Sequence, residues 1–369
     1  MKYGTRKKHV IFIILLILIP VAAGLIASYF IESEKIIPRI EVGLGENQKI
    51  LPVLYYEQHS GFWKIGTHTF LSSGDETTEI EEHFRSFSRT YPLSALRNLS
   101  AKNPSVKSLG RPMVYYNSPD GEIFLFEHYD SDEFTLIKND IRVKIPREHY
   151  ESYHEFLYFG KNYYLFTLLH TDEDILRVYR LSKDFETEKT FDIAYKRLGI
   201  PGHALIEDSF AAVGNNLFIA LDGKILKYNM ENDESEFIIP DYSLLGIIAD
   251  GECFHAVGME ENGEYAFETF DSEGKSLSKI KKALPFGFGY SPYTFSTNET
   301  LYMYGSEIYF RFAYDEKCYI LSFDMESEEW TNCWIAKKED LPHNPGNVKF
   351  IISENGNYYD LFPFWNNLQ

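Results

Sequence analysis

The sequence predicts an all-β chain of about six, alternatively seven, four-stranded antiparallel sheets behind one N-terminal membrane helix. Three observations predict it. An uncharged run of 22 residues follows a basic start. A strand–turn–strand unit then recurs six times. A second hairpin follows most copies, which gives a period of roughly 40–55 residues and four strands per period.

Residues 1–9 carry Lys2, Arg6, Lys7 and Lys8 and no acid, and residues 10–31 carry no charge. About 20 apolar residues span a bilayer as a helix. Pro20 falls mid-run, where a membrane helix tolerates it. The basic flank predicts a cytoplasmic stub (1–9), a single-pass signal-anchor (10–31) in the cell membrane and an extracytoplasmic remainder. The alternative is a signal peptide cleaved after Val21-Ala22-Ala23. The apolar run continues past that point through Leu25, Ile26, Tyr29 and Phe30, and so favours the anchor.

Residues 32–49 read as a linker, and strands follow from residue 50. Val, Ile, Phe and Tyr alternate with polar residues, and Gly, Asn and Asp punctuate the runs. The six copies span 113–130, 155–172, 209–223, 246–260, 293–307 and 348–362. Asp120-Gly121, Gly160-Lys161-Asn162, Gly214-Asn215, Asp250-Gly251 and Asn355-Gly356 supply turns that tolerate positive φ. The second hairpins span 175–193, 224–239, 264–280 and 318–335. The last copy lacks its outer strands. Residues 50–58 and 62–71 can provide them, which would close a ring and leave no open sheet edge. If residues 50–107 formed a unit of their own, the count would be seven. Ile80, Phe84, Phe87 and Tyr91 recur at three or four, which predicts a helical insertion over 78–100. Such a helix would pack on the ring or dock a partner; an ordinary loop is the alternative.

These repeats resemble the β-propeller superfamily over about residues 50–369. The kelch Gly-Gly doublet and the WD dipeptide are absent. The stretch Thr269–Leu277 falls short of a sialidase-type Asp box, because its Gly comes one place late and no Trp follows. The resemblance therefore implies the architecture and no particular activity.

Composition bounds the function. With 44% hydrophobic residues and 29 Phe, 27 Tyr and 4 Trp, the chain can fill a large core, which excludes a disordered protein. Lys and Arg number 36 against 55 Asp and Glu, a net of −19. The stub holds four of the bases, so 32 remain outside against 55 acids, a net of −23. Such a domain disfavours nucleic acid. Three cysteines exclude a disulfide-dense scaffold. Cys318 and Cys333 fall on one predicted hairpin and could form a cross-strand disulfide. Cys253 and His255, two apart on a strand, share a face and read as packing between sheets. Asn98 and Asn298 head glycosylation sequons, relevant where the host glycosylates external asparagines.

In a propeller the turns from second to third strand and the connections between sheets converge on one face. The candidate ligand-binding residues there are Phe286, Phe288, Tyr290 and Tyr293, on a Gly-punctuated loop, with His203 and His343. Aromatics on such a loop offer contact area at low entropic cost; the alternative is that the rings plug gaps between sheets. No pair has a recognised metal-ligand spacing and no catalytic motif occurs, so no metal, cofactor or catalytic residue is assigned. The expected role is a binding scaffold for a protein partner, an envelope glycan or a small ligand, the alternative being an envelope hydrolase or lyase with a site built from converging loops.

Overall fold

The computed structural model describes residues 40–44, 50–60, 63–73, 76–86, 89–109, 112–118, 121–127, 132–139, 141–159, 162–200, 205–285, 301–314, 317–337, 348–354 and 357–360. The stub and the anchor lie outside these residues. Among the described residues no helix is long and apolar enough to cross a membrane.

Five strands come first: Ile40–Leu44 (β1), Ile50–Ser60 (β2), Trp63–Ser73 (β3), Glu76–Ser86 (β4) and Arg89–Pro92 (β5). A helix, Leu93–Lys102 (α1), and a 3-10 turn at Pro104–Leu109 follow. Four meanders come next. Pro112–Ser118, Gly121–Glu127, Glu133–Lys138 and Ile141–Pro146 are β6 to β9, and Glu151–Phe159, Asn162–Leu169, Ile175–Leu181 and Thr187–Ala194 are β10 to β13. Leu205–Val213, Asn216–Leu221, Lys224–Asn229 and Ser235–Ile238 are β14 to β17, and Ser243–Ala249, Phe254–Met259, Tyr265–Phe270 and Ser276–Lys282 are β18 to β21. Tyr302–Tyr304, Glu307–Tyr314, Lys317–Asp324 and Glu329–Lys337 (β22 to β25) and Val348–Glu354 and Asn357–Asp360 (β26, β27) complete the order.

The result is an all-β, propeller-like stack of antiparallel sheets. Each of the four meanders is one four-stranded sheet in sequence order. A fifth sheet has the order β1-β25-β24-β23-β22, and a sixth β27-β26-β2-β3-β4-β5. First strands of successive meanders lie against one another, β10 on β14 and β14 on β18, and β27 lies against β6.

The sixth sheet joins the two ends of the described chain. β2 pairs with β26 from Ile50↔Ile352 to Leu54↔Val348, while β3 pairs on its other side. Residues 50–71 thus supply strands to the last copy, but the order differs from the simplest expectation: β2 adds to β26, and β27 takes the far edge. Pro52 is the register partner of Phe350 in β26, and the ladder to β3 begins one residue later, at Val53. Strands β2 to β5 share one sheet with β26 and β27.

Two further expectations are corrected. Residues 76–86 and 89–92 form β4 and β5 rather than a helix, and the helix begins at Leu93. Phe84 and Tyr91 are register partners across that hairpin, so their spacing comes from a turn and not from helical rise. The linker contains β1, which adds to the edge of β25. In the stretch predicted as a hairpin over 293–307, residues 293–300 lie outside the described residues, and β22 and β23 form a hairpin around Gly305 at φ 61°, where glycine supplies the left-handed geometry.

The core sits between sheets. Phe166 stacks on Phe210 at 4.3 Å, Phe218 meets Phe254 at 4.1 Å, and Phe267 stacks on Phe323 at 4.0 Å. Each pair joins neighbouring sheets, and all six rings are buried. Second strands pair with second strands (β15 with β19) and third with third (β20 with β24), so aromatic residues of the third strands also fill the gaps.

Candidate functional site

Phe286, Phe288, Tyr290, Tyr293, His203 and His343 all lie outside the described residues. On the face where second-to-third turns and sheet connections meet, the structure shows a buried ionic network instead. Glu151 opens β10 and is 2% exposed. Its Oε1 accepts from the Tyr179 hydroxyl at 2.8 Å and from Thr167, and its Oε2 accepts from the Glu148 N–H at 2.8 Å. Arg177 Nη1 stands 3.6 Å from that same Oε2. Thr167, Arg177 and Asp192 occupy one cross-strand row, and Arg177 grips Asp192 through Nε at 2.8 Å and Nη2 at 2.9 Å. Arg147 donates to Glu127 at 2.6 Å and to the Glu151 carbonyl at 3.1 Å.

The electrostatics follow from burial. Burial pushes the Glu127 carboxyl above its ordinary value, and the Arg147 charge opposes that. Burial and the Glu151 carboxylate push the Tyr179 phenol upward, so it stays a donor. The hydrogen bonds to Asp192 keep Arg177 charged against the cost of burial. These carboxylates are satisfied by internal donors, so the network latches β10 to its neighbours.

A cleft of about 480 Å³ opens beside it, lined by Arg177, Lys189, Asp192, Arg197, Tyr228 and Asp233 among others. Lys189 is already engaged with the Met230 carbonyl. Of the connection histidines that are described, His149 is exposed with its ring 4.1 Å from Tyr150, and half-buried His154 meets Phe210 edge-on.

On the side of the first-to-second turns, the loop between β18 and β19 gathers a different set. Asp250 opens this loop, Cys253 closes it, and His255 is the second residue of β19. Asp250 Oδ1 accepts from the N–H groups of Glu252 (3.3 Å) and Cys253 (3.0 Å). Its Oδ2 receives the Cys253 thiol at 3.0 Å and faces His255 Nε2 at 3.2 Å. His255 Nδ1 lies 3.0 Å from the Thr269 hydroxyl, on the register partner in β20. Burial alone would raise the Asp250 carboxyl; the hydrogen bonds from His255 and Cys253 outweigh it and hold it down at about 2. Burial and the Asp250 carboxylate push the Cys253 thiol up to about 12. A protonated thiol of this kind is no nucleophile at neutral pH.

In the sequence Asp250 is a turn residue and Cys253 and His255 share a strand face as packing; in the structure the turn folds Asp250 back onto that pair. The usable signal was the spacing Asp-x-x-Cys-x-His across a four-residue turn. The Cys318–Cys333 disulfide does not form. Cys333 is free and pairs with Leu321, whereas Cys318 pairs with Ala336. Three residues of strand separate the two positions, about 10 Å, beyond the reach of a disulfide.

No family model matches the chain, and no curated protein matches it. Among solved structures it is similar to a prolyl endopeptidase (11% identity, TM-score 0.43), with 87% of this chain and 54% of that chain covered. It is also similar to TolB from Acinetobacter baumannii (9%, TM-score 0.43, covering 80% and 66%). A third likeness is to apo AztD from Citrobacter koseri (11%, TM-score 0.39, covering 87% and 90%). The chain thus spans about half of the first of these and just under two thirds of the second. The class defined by the sheets themselves is an all-β, propeller-like protein.

Proposed function

We propose that the chain is a membrane-tethered, extracytoplasmic propeller of six blades that acts as a binding scaffold for a protein or envelope-glycan partner. Residues 10–31 would provide the tether, and the sheet shared by β2 and β26 would close the ring. The loop bearing Phe286, Phe288, Tyr290 and Tyr293, with His203 and His343, would form the contact face. One observation carries the choice of a scaffold over a hydrolase or lyase. The carboxylates that converge on the described part of the loop face, Glu127, Glu148, Glu151 and Asp192, are each held by internal donors. A working acid–base pair needs carboxyl groups free to meet substrate.

The test uses the full chain in its host envelope. Cross-linking on intact cells, followed by detergent extraction, should recover a partner with the wild type. The Phe286→Ala/Phe288→Ala/Tyr290→Ala/Tyr293→Ala variant should lose it while staying in the membrane fraction. Recovery of the same partner by both proteins would overturn the assignment of the contact face. Recovery of the wild type in the soluble fraction would overturn the tether.

A further inference from the structure

In the loop between β18 and β19, we propose that Asp250 Oδ2, Cys253 Sγ and His255 Nε2 bind one transition-metal cation of zinc type. The three donor atoms lie within 4.8 Å of one another, and this is the one such group of His, Cys and acidic residues among the described residues. A carboxylate oxygen, a sulfur and an imidazole nitrogen form the mixed set that zinc accepts, at about 2.0–2.3 Å from each atom. Ligands around such an ion stand a little over 3 Å apart, and the thiol and imidazole are already 3.0 and 3.2 Å from Oδ2.

Two of the three ligands are aimed by a partner that leaves the donor atom facing the centre. Backbone N–H groups of Glu252 and Cys253 hold Asp250 Oδ1, which leaves Oδ2 directed inward. The Thr269 hydroxyl holds His255 Nδ1, which leaves Nε2 directed inward. The imidazole is fixed in depth, its side chain only 6% exposed, while Asp250 is 27% exposed. That outer-shell support is what orients ligands in metal sites. Three protein ligands with a partly exposed edge leave a fourth position for water, the arrangement of an open site.

The protons balance. The Cys253 thiol gives its proton to solvent as the sulfur–metal bond forms. The neutral imidazole keeps one proton, now on Nδ1, donated to Thr269 Oγ1. With Asp250 ionised, the thiolate and carboxylate offset a divalent charge, so the occupied site is neutral.

Cobalt(II) alone, added to the full chain in detergent, is the probe. The expected result is one equivalent bound, with a sulfur-to-cobalt charge-transfer band in the near ultraviolet that zinc(II) displaces. Cys253→Ser should abolish that band and Cys333→Ser should retain it. Thr269→Val, which leaves all three ligands in place, should weaken affinity about 10–100-fold. Circular dichroism on each variant separates lost binding from lost fold. Should Cys253→Ser not fold, the Thr269→Val shift together with retention in Cys333→Ser decides the matter. Absence of the band in the folded wild type, its survival in Cys253→Ser, or unchanged affinity in Thr269→Val would overturn the site and leave the trio as a turn held by hydrogen bonds.

Discussion

Gly258 shows how closely single residues are fitted. It lies in β19 opposite Leu244, and a methyl group there would stand 2.1 Å from Tyr242 Cδ2 and 2.6 Å from the Ser243 carbonyl oxygen. The backbone carbonyl cannot move aside cheaply. Gly258→Ala should therefore cost about 1–3 kcal/mol, the usual range for overpacking; an unchanged urea midpoint would refute the close approach. Tyr179→Phe removes the donor to the Glu151 carboxylate and should cost about 1.5–3 kcal/mol, as for a hydrogen bond to a charged group. Asp324 sets a pH dependence. Burial would raise its carboxyl, but hydrogen bonds from Ser306, Ser327 and the Glu326 N–H outweigh this and hold it below its ordinary value. A depressed folded value stabilises the ionised form. That contribution is complete above the unfolded value of about 3.9 and is lost as pH falls through the folded one. Acid titration of stability should thus show the gap between wild type and Asp324→Asn narrowing below about pH 4; a constant gap would reject the assignment. Little of this was readable in sequence. The partners that give Gly258 and Glu151 their roles sit on other parts of the chain, where no local pattern points to them.

At the scale of elements, the hairpins were legible wherever a short turn stood between alternating runs. Val213-Gly214-Asn215-Asn216 is the clear case: β14 ends at Val213, β15 begins at Asn216, and Gly214 takes φ 60°. Legibility failed where the local signal was mixed. Acids crowd β4 at Glu79, Glu81 and Glu82, which hid its alternation and let a helical spacing be read across the β4–β5 turn. Sheet-to-sheet packing was legible only as an abundance of aromatics. The partners are set by the stack, as in Phe267 of β20 lying parallel to Phe323 of β24, 8° apart in plane. Both rings are fully buried. Phe267→Ala should cost about 3–5 kcal/mol, because the rigid neighbouring sheets cannot collapse into the space. A loss under about 1 kcal/mol in urea unfolding would mean that the sheets slide to refill it.

For the whole molecule, the decisive feature is the sixth sheet, where β26 and β27 meet strands from the other end of the described chain. β2 is bonded on both sides, to β26 at Leu54↔Val348 and to β3 at Leu54↔Phe70, and β27 covers β6. A closed ring and a linear stack differ in what happens when residues 348–369 are removed. In a linear stack each sheet leans only on its neighbours, so losing a terminal piece shortens the array and leaves the other sheets near their former stability. In a closed ring the same deletion strips β2 of one partner, uncovers β6 and creates an exposed strand edge open to other chains. The truncated protein should then melt well below the full chain, in a transition that includes the four central meanders, and should self-associate. Leu54→Pro, which removes an amide donor within the doubly bonded strand, should act in the same direction and cost about 3 kcal/mol or more. Calorimetry of the three proteins checks this. Unchanged melting of the central meanders after truncation would mean that the pairing of β2 with β26 closes one sheet without locking the ring.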